Sequence, residues 1–294
     1  MNSDLIKEYA RKFQTTPSII NWAEFTAVSI WQKIGFCRSV ADFNMHENTV
    51  TQELIYSFWQ LAISGTFPVQ IYHAKNERAN GNDIEIAIET SEGYLLFPCQ
   101  AKIVNKKGRY PGIRHKVAGQ FQIDRLLEYS RKVAGVPIYF FYNFGSDPEQ
   151  NAALERFRSF DVQRLGCSLF PAEFIKYSFY RSVTNRWSIP DFYKAHRLLG
   201  IPFSNLFKLI NSDTIPGLNF KAFSGEATFY SRDELSDNSY WRNLAPRPAI
   251  GRIPTGERIP VLRQALDSGE NAFNPAFRIL FSIERDNSAS IIRS

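Results

Sequence analysis

Two strands joined by a very short connection restrict the fold more than any other feature of the sequence. In the first, DIEIAIET (residues 83–90), isoleucines alternate with polar or small residues, which is the period of a strand with one apolar face. The second, YLLFPCQAKIV (residues 94–104), follows the connection SEG, so the pair is predicted to form an antiparallel hairpin. Pro98 has no N–H for a strand ladder, so we expect the second strand to be bulged or at a sheet edge there.

The hairpin also predicts which side chains share a face. Directly opposed residues of an antiparallel pair have a constant sum of residue numbers and point to the same side of the sheet. A two-residue turn gives a sum of 183 or 185, depending on which residues form it, and sets Asp83 opposite Gln100 or opposite Lys102. Glu85 lies on the same face in both registers. The predicted cluster therefore holds two carboxylates, one amide and one ammonium.

Such a cluster contains the groups that metal-dependent hydrolysis of a phosphodiester requires. Mg²⁺ or Mn²⁺ prefers oxygen ligands, which Asp83 and the Gln100 carbonyl can supply with Glu85 in support. The metal lowers the pKa of a bound water, and Lys102 can orient or deprotonate that water and stabilise the developing anion. The simpler alternative is that these residues form the polar face of an ordinary amphipathic strand.

Positive charge is concentrated directly after the hairpin. The net charge of the chain is +6, yet residues 100–132 hold nine Lys or Arg against two acidic residues, so the remainder is nearly neutral. A patch of this kind is typical of a protein that binds a polyanion, and a solvated loop and helix face is the alternative. The residues that we expect to contact phosphates are Lys106, Lys107, Arg109, Arg114 and Lys116, with Tyr110 and His115 as further candidates.

The periodicity elsewhere predicts an α/β core. Helices are expected over residues 3–13, 16–36 and 48–65, a strand over 67–74, a helix over 118–135 and an apolar, doubly buried strand over 136–144. Beyond residue 150 the pattern weakens: residues 166–180 predict a strand or a helix, and residues 189–210 predict a helix. Helix, hairpin, helix and buried strand in this order indicate an α/β layered fold.

The pieces GNDIEI and QAK resemble the signature of the PD-(D/E)XK nuclease superfamily, in its glutamine variant, which is similar to Mrr-type restriction endonucleases and to nuclease domains of anti-phage defence proteins. Asp83, Gln100 and Lys102 match the motif, and Glu53 matches a glutamate that many members carry on the preceding helix. Asn82 stands where the motif has proline. The resemblance covers residues 46–145.

The resemblance implies a restriction-endonuclease-like core, with a mixed sheet and a central antiparallel hairpin flanked by helices. We expect a helical N-terminal segment (1–45), the nuclease-like core (46–180) and a mixed C-terminal accessory region (181–294). The implied activity is that of a metal-dependent endonuclease in restriction or anti-phage defence, with DNA favoured over RNA. The implied protein partner is a second copy or a defence-system protein. The alternative is a non-catalytic nucleic-acid-binding or scaffold protein that keeps the fold.

Other features indicate a cytoplasmic protein without a membrane partner. No apolar run reaches the roughly 18 residues that span a bilayer, and the N-terminus is charged where a signal peptide would be apolar. The three cysteines, Cys37, Cys99 and Cys167, are widely spaced, which predicts free thiols.

Overall fold

A computed structural model gives the fold of the chain. It describes residues 3–40, 43–65, 67–74, 84–90, 92–184, 186–210, 229–230, 241–243 and 277–282. Within these residues the α-helices are α1 (Ser3–Thr15), α2 (Ile19–Ser39), α3 (Glu47–Ser64), α4 (Gln122–Lys132), α5 (Pro148–Arg158), α6 (Ala172–Phe179) and α7 (Phe192–Leu198).

The strands carry most of the topology. They are β1 (Val69–Ala74), β2 (Ile84–Glu89), β3 (Tyr94–Ile103), β4 (Lys116–Val117), β5 (Gln120–Phe121), β6 (Ile138–Tyr142), β7 (Cys167–Pro171), β8 (Tyr180–Arg181), β9 (Arg186–Trp187), β10 (Ile201–Pro202), β11 (Phe229–Tyr230), β12 (Trp241–Asn243) and β13 (Phe277–Phe281). Short 3₁₀ helices cover Pro111–Arg114, Val162–Gly166, Ser182–Thr184 and Phe203–Ile210.

One large mixed sheet forms the centre of the molecule, and its strand order is β10-β7-β6-β3-β2-β13-β1-β12, with β11 also paired to β3. β2 and β3 are antiparallel, whereas β3 and β6 are parallel. The remaining pairs, β4–β5 and β8–β9, are small separate hairpins. The predicted α/β architecture, a mixed sheet flanked by helices with a central antiparallel hairpin, is confirmed.

Helices cover both faces of this sheet because each face carries its own apolar cluster. Residues of α2, α3 and Phe203–Ile210 pack on one face, where Phe58 and Phe203 meet Ile86 and Phe97 of the hairpin. Residues of α4, α6 and α7 pack on the other, where Leu126 contributes to the second cluster. The hairpin is therefore buried on both sides, and its polar side chains lie inside the molecule.

The hairpin has the first of the two predicted registers. Ile84 pairs with Cys99 and Glu89 with Tyr94, so paired residue numbers sum to 183 throughout. Glu85, Gln100 and Lys102 consequently share one face, the face covered by α4. Asp83, which this register was predicted to set opposite Gln100, lies outside the described residues.

The expectation that β3 is bulged or at a sheet edge at Pro98 is wrong. The ladder between β2 and β3 continues without a bulge through the pair Glu85 and Pro98, and β3 is a central strand. The Val136 N–H donates to the Leu96 carbonyl on the β6 side, and Pro98, two residues further, faces the same side. Pairing with β6 begins only at Cys99, so the missing N–H of Pro98 falls just before that ladder.

The end of the second helix, near Gly35, also differs from the expectation. The second helix was expected to end at residue 36, directly after this glycine, but α2 continues through it to Ser39. A Cβ on Gly35 would lie 2.5 Å from a ring carbon of Phe144, so this glycine permits close packing against the ring. Gly65, by contrast, ends α3 in the left-handed conformation, as predicted.

The region after residue 150 contributes more to the core than its weak pattern indicated. Residues 166–180 contain both a strand, β7, and a helix, α6, whereas the helix predicted over 189–210 is limited to α7. β13 lies between β1 and β2, antiparallel to the first and parallel to the second. The sheet thus takes strands from both sides of the predicted boundary at residue 180, and that boundary stays a prediction.

A buried polar network lies beneath β6 and β7. The Asn143 amide donates to the Ser168 hydroxyl at 2.9 Å, and this hydroxyl lies 2.8 Å from His196 Nε2. His196 Nδ1 lies 2.7 Å from the Phe192 carbonyl, so this nitrogen carries the proton and Nε2 accepts from Ser168. Burial lowers the pKa of His196 to about 3. The imidazole is therefore a neutral structural group.

Glu173 at the start of α6 is shifted in the opposite direction. Burial raises the pKa of its carboxyl group to about 7, partly offset by its own backbone hydrogen bond and by Arg131. The unfolded chain protonates a histidine below about pH 6.5 and a glutamate below about pH 4.5. The depressed pKa of His196 makes stability fall as the pH drops below about 6.5, whereas the raised pKa of Glu173 makes stability fall as the pH rises from about 4.5 to about 7.

The two groups should oppose each other between about pH 5 and pH 7.5. His196→Asn should lose less stability on acidification than the wild type, by about 2 kcal/mol, whereas Glu173→Gln should lose more. The measurement is the free energy of unfolding from urea titrations at both pH values. Parallel changes in the wild type and both variants would contradict the assignment.

Candidate functional site

Lys102 is a buried ammonium near the carboxyl end of β3. It is only 4% exposed, and its Nζ lies 3.1 Å from Oε1 of Glu47, the first residue of α3. A buried charge requires a partner, and the Glu47 carboxylate supplies one while its side chain stays 29% exposed. The pair therefore lies at the boundary between the interior and solvent.

The glutamate that reaches Lys102 is Glu47, whereas Glu53 was the predicted candidate on this helix. Glu53 Oε2 instead pairs with Lys33 of α2 at 2.6 Å on an exposed surface. α3 begins at Glu47, one residue before the expected start of this helix at residue 48, and no side chain caps it. A signal was present in the sequence, because acidic residues are favoured in the first turn of a helix.

The Lys102 side chain passes close to Gly112 in the 3₁₀ helix. A Cβ on Gly112 would lie 2.9 Å from Lys102 Cδ and 4.0 Å from Glu47 Oε2. Ile113, beside it, is completely buried and anchors this segment in the core. Gly112 thus leaves room for the lysine chain beside a fixed backbone.

The Gln100 amide has no hydrogen bond to another residue that the structure describes. Its side chain is 6% exposed, and the residue lies opposite Tyr139 in the parallel ladder with β6. The hydrogen bonds within the described part of the chain include none to this amide. A buried amide normally finds partners, so this group is suited to an external ligand.

Glu85 is held in a different way. It is completely buried, and its Oε2 accepts hydrogen bonds from Arg278 Nε at 2.8 Å and Nη2 at 2.6 Å. Its Oε1 accepts a hydrogen bond from the Tyr129 hydroxyl of α4. Both oxygens are therefore engaged, and the carboxylate ties β2 to β13 and α4. A supporting role at a metal stays a prediction for this residue.

The basic loop after β3 has a defined backbone. The Asn105 side chain accepts hydrogen bonds from the N–H groups of Lys107 at 3.0 Å and Arg109 at 2.9 Å. Arg38 Nη2 donates to the Val104 and Asn105 carbonyls, each at 2.8 Å. Sequence reasoning missed Arg38, which lies in a helical stretch far from the loop.

The five predicted phosphate-contacting cations are exposed on this loop. Among the described residues, none of them forms a salt bridge with a carboxylate. These residues, called the cationic loop below, are Lys106, Lys107, Arg109, Arg114 and Lys116. His115 is also exposed, but Tyr110 as a contact is wrong, because it is completely buried and donates to Asn143.

The described residues contain no group of three His, Cys, Asp or Glu side chains that could hold a metal ion, and Asp83 is not among those residues. Among the helices that the structure describes, none combines the length and apolar composition needed to cross a bilayer. All three cysteines are free thiols, two of them buried.

Comparison with known proteins places the chain in one family. A family of unknown function (DUF6615) matches residues 21–268. The chain belongs to this family. The match covers most of α2, helices α3 to α7, the hairpin and the cationic loop, so these features lie within the family's domain. No curated protein and no solved structure matches the chain.

The Glu85–Arg278 pair should dominate the stability of the hairpin. Arg278→Met or Glu85→Gln should each lower the free energy of unfolding by about 3–5 kcal/mol, because each leaves one group buried without its partner. The double variant should cost clearly less than the sum. Urea titrations of the three variants give this coupling energy.

The exposed pair of Lys132 and Glu128 on α4 is the matched control, with Nζ and Oε1 3.1 Å apart. Lys132→Met should cost less than about 1 kcal/mol. Additive costs for Glu85→Gln and Arg278→Met would show that the buried pair does not hold the strands together.

Proposed function

We propose that this chain is a metal-dependent nuclease that hydrolyses phosphodiester bonds of nucleic acid, with DNA favoured. The observation that carries the proposal is the buried Lys102 ammonium. It shares a sheet face with the Gln100 amide, which has no hydrogen bond to another described residue, and it is followed by an exposed cationic loop. A lysine is seldom buried unless it is paired, and the carboxylate that pairs with Lys102 is itself partly exposed to solvent.

The residues proposed to hold a divalent cation are Asp83 and Gln100, with Glu85 in support and Glu47 as an addition. The unbonded carbonyl of Gln100 and the partly exposed carboxylate of Glu47 fit the oxygen ligands that Mg²⁺ or Mn²⁺ prefers. When bound, the cation would lower the pKa of a water molecule and offset charge on the phosphate.

Lys102 acts on the developing charge. Hydrolysis forms a P–O bond to water and breaks a P–O bond to the sugar, while negative charge grows on the phosphate oxygens. An ammonium held in a poorly solvated place stabilises this charge more strongly than one in water, because the local dielectric is low. Glu47 orients the ammonium, and Gly112 leaves space for its carbon chain.

The cationic loop would hold the substrate backbone next to this site. Its exposed charges can neutralise phosphates and release counterions, which makes binding sensitive to salt. The proposed setting is restriction or anti-phage defence in the cytoplasm, with a second copy of the chain or a defence-system protein as partner.

The second candidate is a nucleic-acid-binding or scaffold protein that does not cut. It is favoured by the engagement of both Glu85 oxygens with Arg278 and Tyr129, which leaves fewer free carboxylates beside Gln100. It shares the cationic loop with the nuclease, so the two candidates differ only in cleavage.

Lys102→Met should reduce cleavage of plasmid DNA or of RNA in Mg²⁺ or Mn²⁺ by at least about 100-fold, because it removes one charged group from the transition state. Cleavage is followed on gels, and thermal unfolding confirms the fold of the variant. Equal cleavage by variant and wild type, or none by either, would reject the nuclease and favour the second candidate.

Glu47 and Glu53 give a comparison within one helix, because each pairs with a lysine. Glu47→Gln should reduce cleavage by about 10-fold or more, since the orientation of Lys102 is lost, whereas Glu53→Gln should change it less than about 2-fold. If Glu53→Gln reduced cleavage more than Glu47→Gln, the helix glutamate of the site would be Glu53.

A further inference from the structure

We propose that a cluster of aromatic rings beside the cationic loop is a stacking surface for unpaired bases, so that the nucleic acid bound there is single-stranded or locally unpaired. This inference rests on the proposed binding of nucleic acid and adds the form of the substrate. The cluster consists of Phe121, Tyr180 and Trp187, and it is called the aromatic platform below.

Two small hairpins build the aromatic platform. Phe121 lies in β5 of the β4–β5 hairpin, whereas Tyr180 and Trp187 lie directly opposite each other in β8 and β9. The ring centroids are 5.6 Å apart for Phe121 and Trp187, 5.9 Å for Phe121 and Tyr180, and 5.1 Å for Tyr180 and Trp187. All three residues are half-buried, so packing fixes them while part of each residue stays exposed.

Cationic side chains lie on both of these hairpins. Lys116 lies opposite Phe121 in the β4–β5 hairpin, and its Nζ is 4.5 Å from the centre of that ring. In the other hairpin Arg181 lies directly opposite Arg186, and both are exposed. Within the described residues no carboxylate forms a salt bridge with either arginine.

The two arginines indicate that the partner carries negative charge. Like charges directly opposite in a strand pair repel each other, so this pairing costs stability in the free protein. An anion that binds there removes the repulsion. Because successive residues of a strand point to opposite sides, the arginines lie on the other face of the β8–β9 hairpin and do not cover the rings of Tyr180 and Trp187.

The aromatic platform continues from the cationic loop. The Tyr110 N–H donates to the Pro190 carbonyl at 3.3 Å, and the Phe192 N–H donates to the Gly108 carbonyl at 2.8 Å. These bonds join the loop to the segment that follows β9. Lys116 of the cationic loop also lies over the Phe121 ring, so a phosphate backbone held by the loop would pass beside this ring.

Half-buried rings with Lys116 beside them, and two arginines on the other face of the same small hairpin, match the chemistry of single-stranded nucleic acid. Bases present flat apolar faces, phosphates present charge, and proteins that bind single strands combine aromatic stacking with a basic groove. In a duplex the base faces are stacked on each other and are not accessible. The platform therefore favours an unpaired strand over a duplex, and over an apolar protein partner that would leave the cations unmatched.

The test is binding without a divalent metal, so that cleavage does not enter. Fluorescence anisotropy would compare a single-stranded oligonucleotide of about 12 residues with an abasic strand of the same length and with the duplex. The wild type should bind the normal strand about 10-fold more tightly than the abasic strand, because both carry the same phosphates but only one has bases to stack. Equal affinity for the two strands would overturn the proposal, as would tighter binding of the duplex.

Three variants locate the effect. Trp187→Leu should lower affinity for the normal strand about 10-fold and leave the abasic strand unchanged, whereas Phe157→Leu, at a 63% exposed ring of α5 next to Arg158, should change neither. Lys116→Ala changes an exposed residue, so it should disturb the fold less than Trp187→Leu, and it should weaken binding of both strands. If Trp187→Leu binds the normal strand like the wild type, the platform is not the stacking surface.

The same assay separates this inference from the nuclease proposal. Lys102→Met, expected to abolish cleavage, should keep the full preference for the normal strand over the abasic one. Cleavage without any base preference would reject the platform alone. A base preference without cleavage would reject the nuclease alone.

Discussion

The ion pair between Glu85 and Arg278 is the interaction on which the centre of the molecule depends. Both side chains are almost completely buried, so each charge is tolerable only because the other is present. The pair connects β2 to β13, and the Tyr129 hydroxyl brings α4 to the same carboxylate. One buried carboxylate therefore fixes a strand that is distant in sequence and the helix that covers the candidate site.

This constraint divides the polar face of the hairpin into two parts. Glu85 of β2 lies deep in the sheet, and both of its carboxylate oxygens accept hydrogen bonds. Gln100 and Lys102 lie on β3, closer to the cationic loop. The strand that carries Gln100 and Lys102 is held on both sides, because β3 pairs with β2 on one side and with β6 on the other. Chemistry at Lys102 would thus take place on a strand that has little freedom to move.

Local patterns in the sequence were sufficient for the hairpin, for two alternative registers of it and for the cationic loop, since alternation and charge act over a few residues. The structure decided between the two registers. The patterns were not sufficient for Glu47, because the prediction placed the start of α3 one residue too late and so left this glutamate outside the helix. Arg278 and β13 had no local signal, because their partners lie almost 200 residues away and only tertiary pairing selects them. Pro98 misled the prediction because its missing N–H falls where the ladder with β6 has not yet begun.

The position of β13 between β1 and β2 has a consequence for the order of events during synthesis. β2 leaves the ribosome long before its partner, because Glu85 and Arg278 are separated by 193 residues. At about 5–20 residues per second, the interval is roughly 10–40 s. Throughout this time β1 and β2 lack the strand that separates them, and the Glu85 carboxylate lacks its counter-ion. A nascent chain would therefore hold the cationic loop and Lys102 before the sheet that supports them is complete, which delays any activity of the site until residues 277–281 are made.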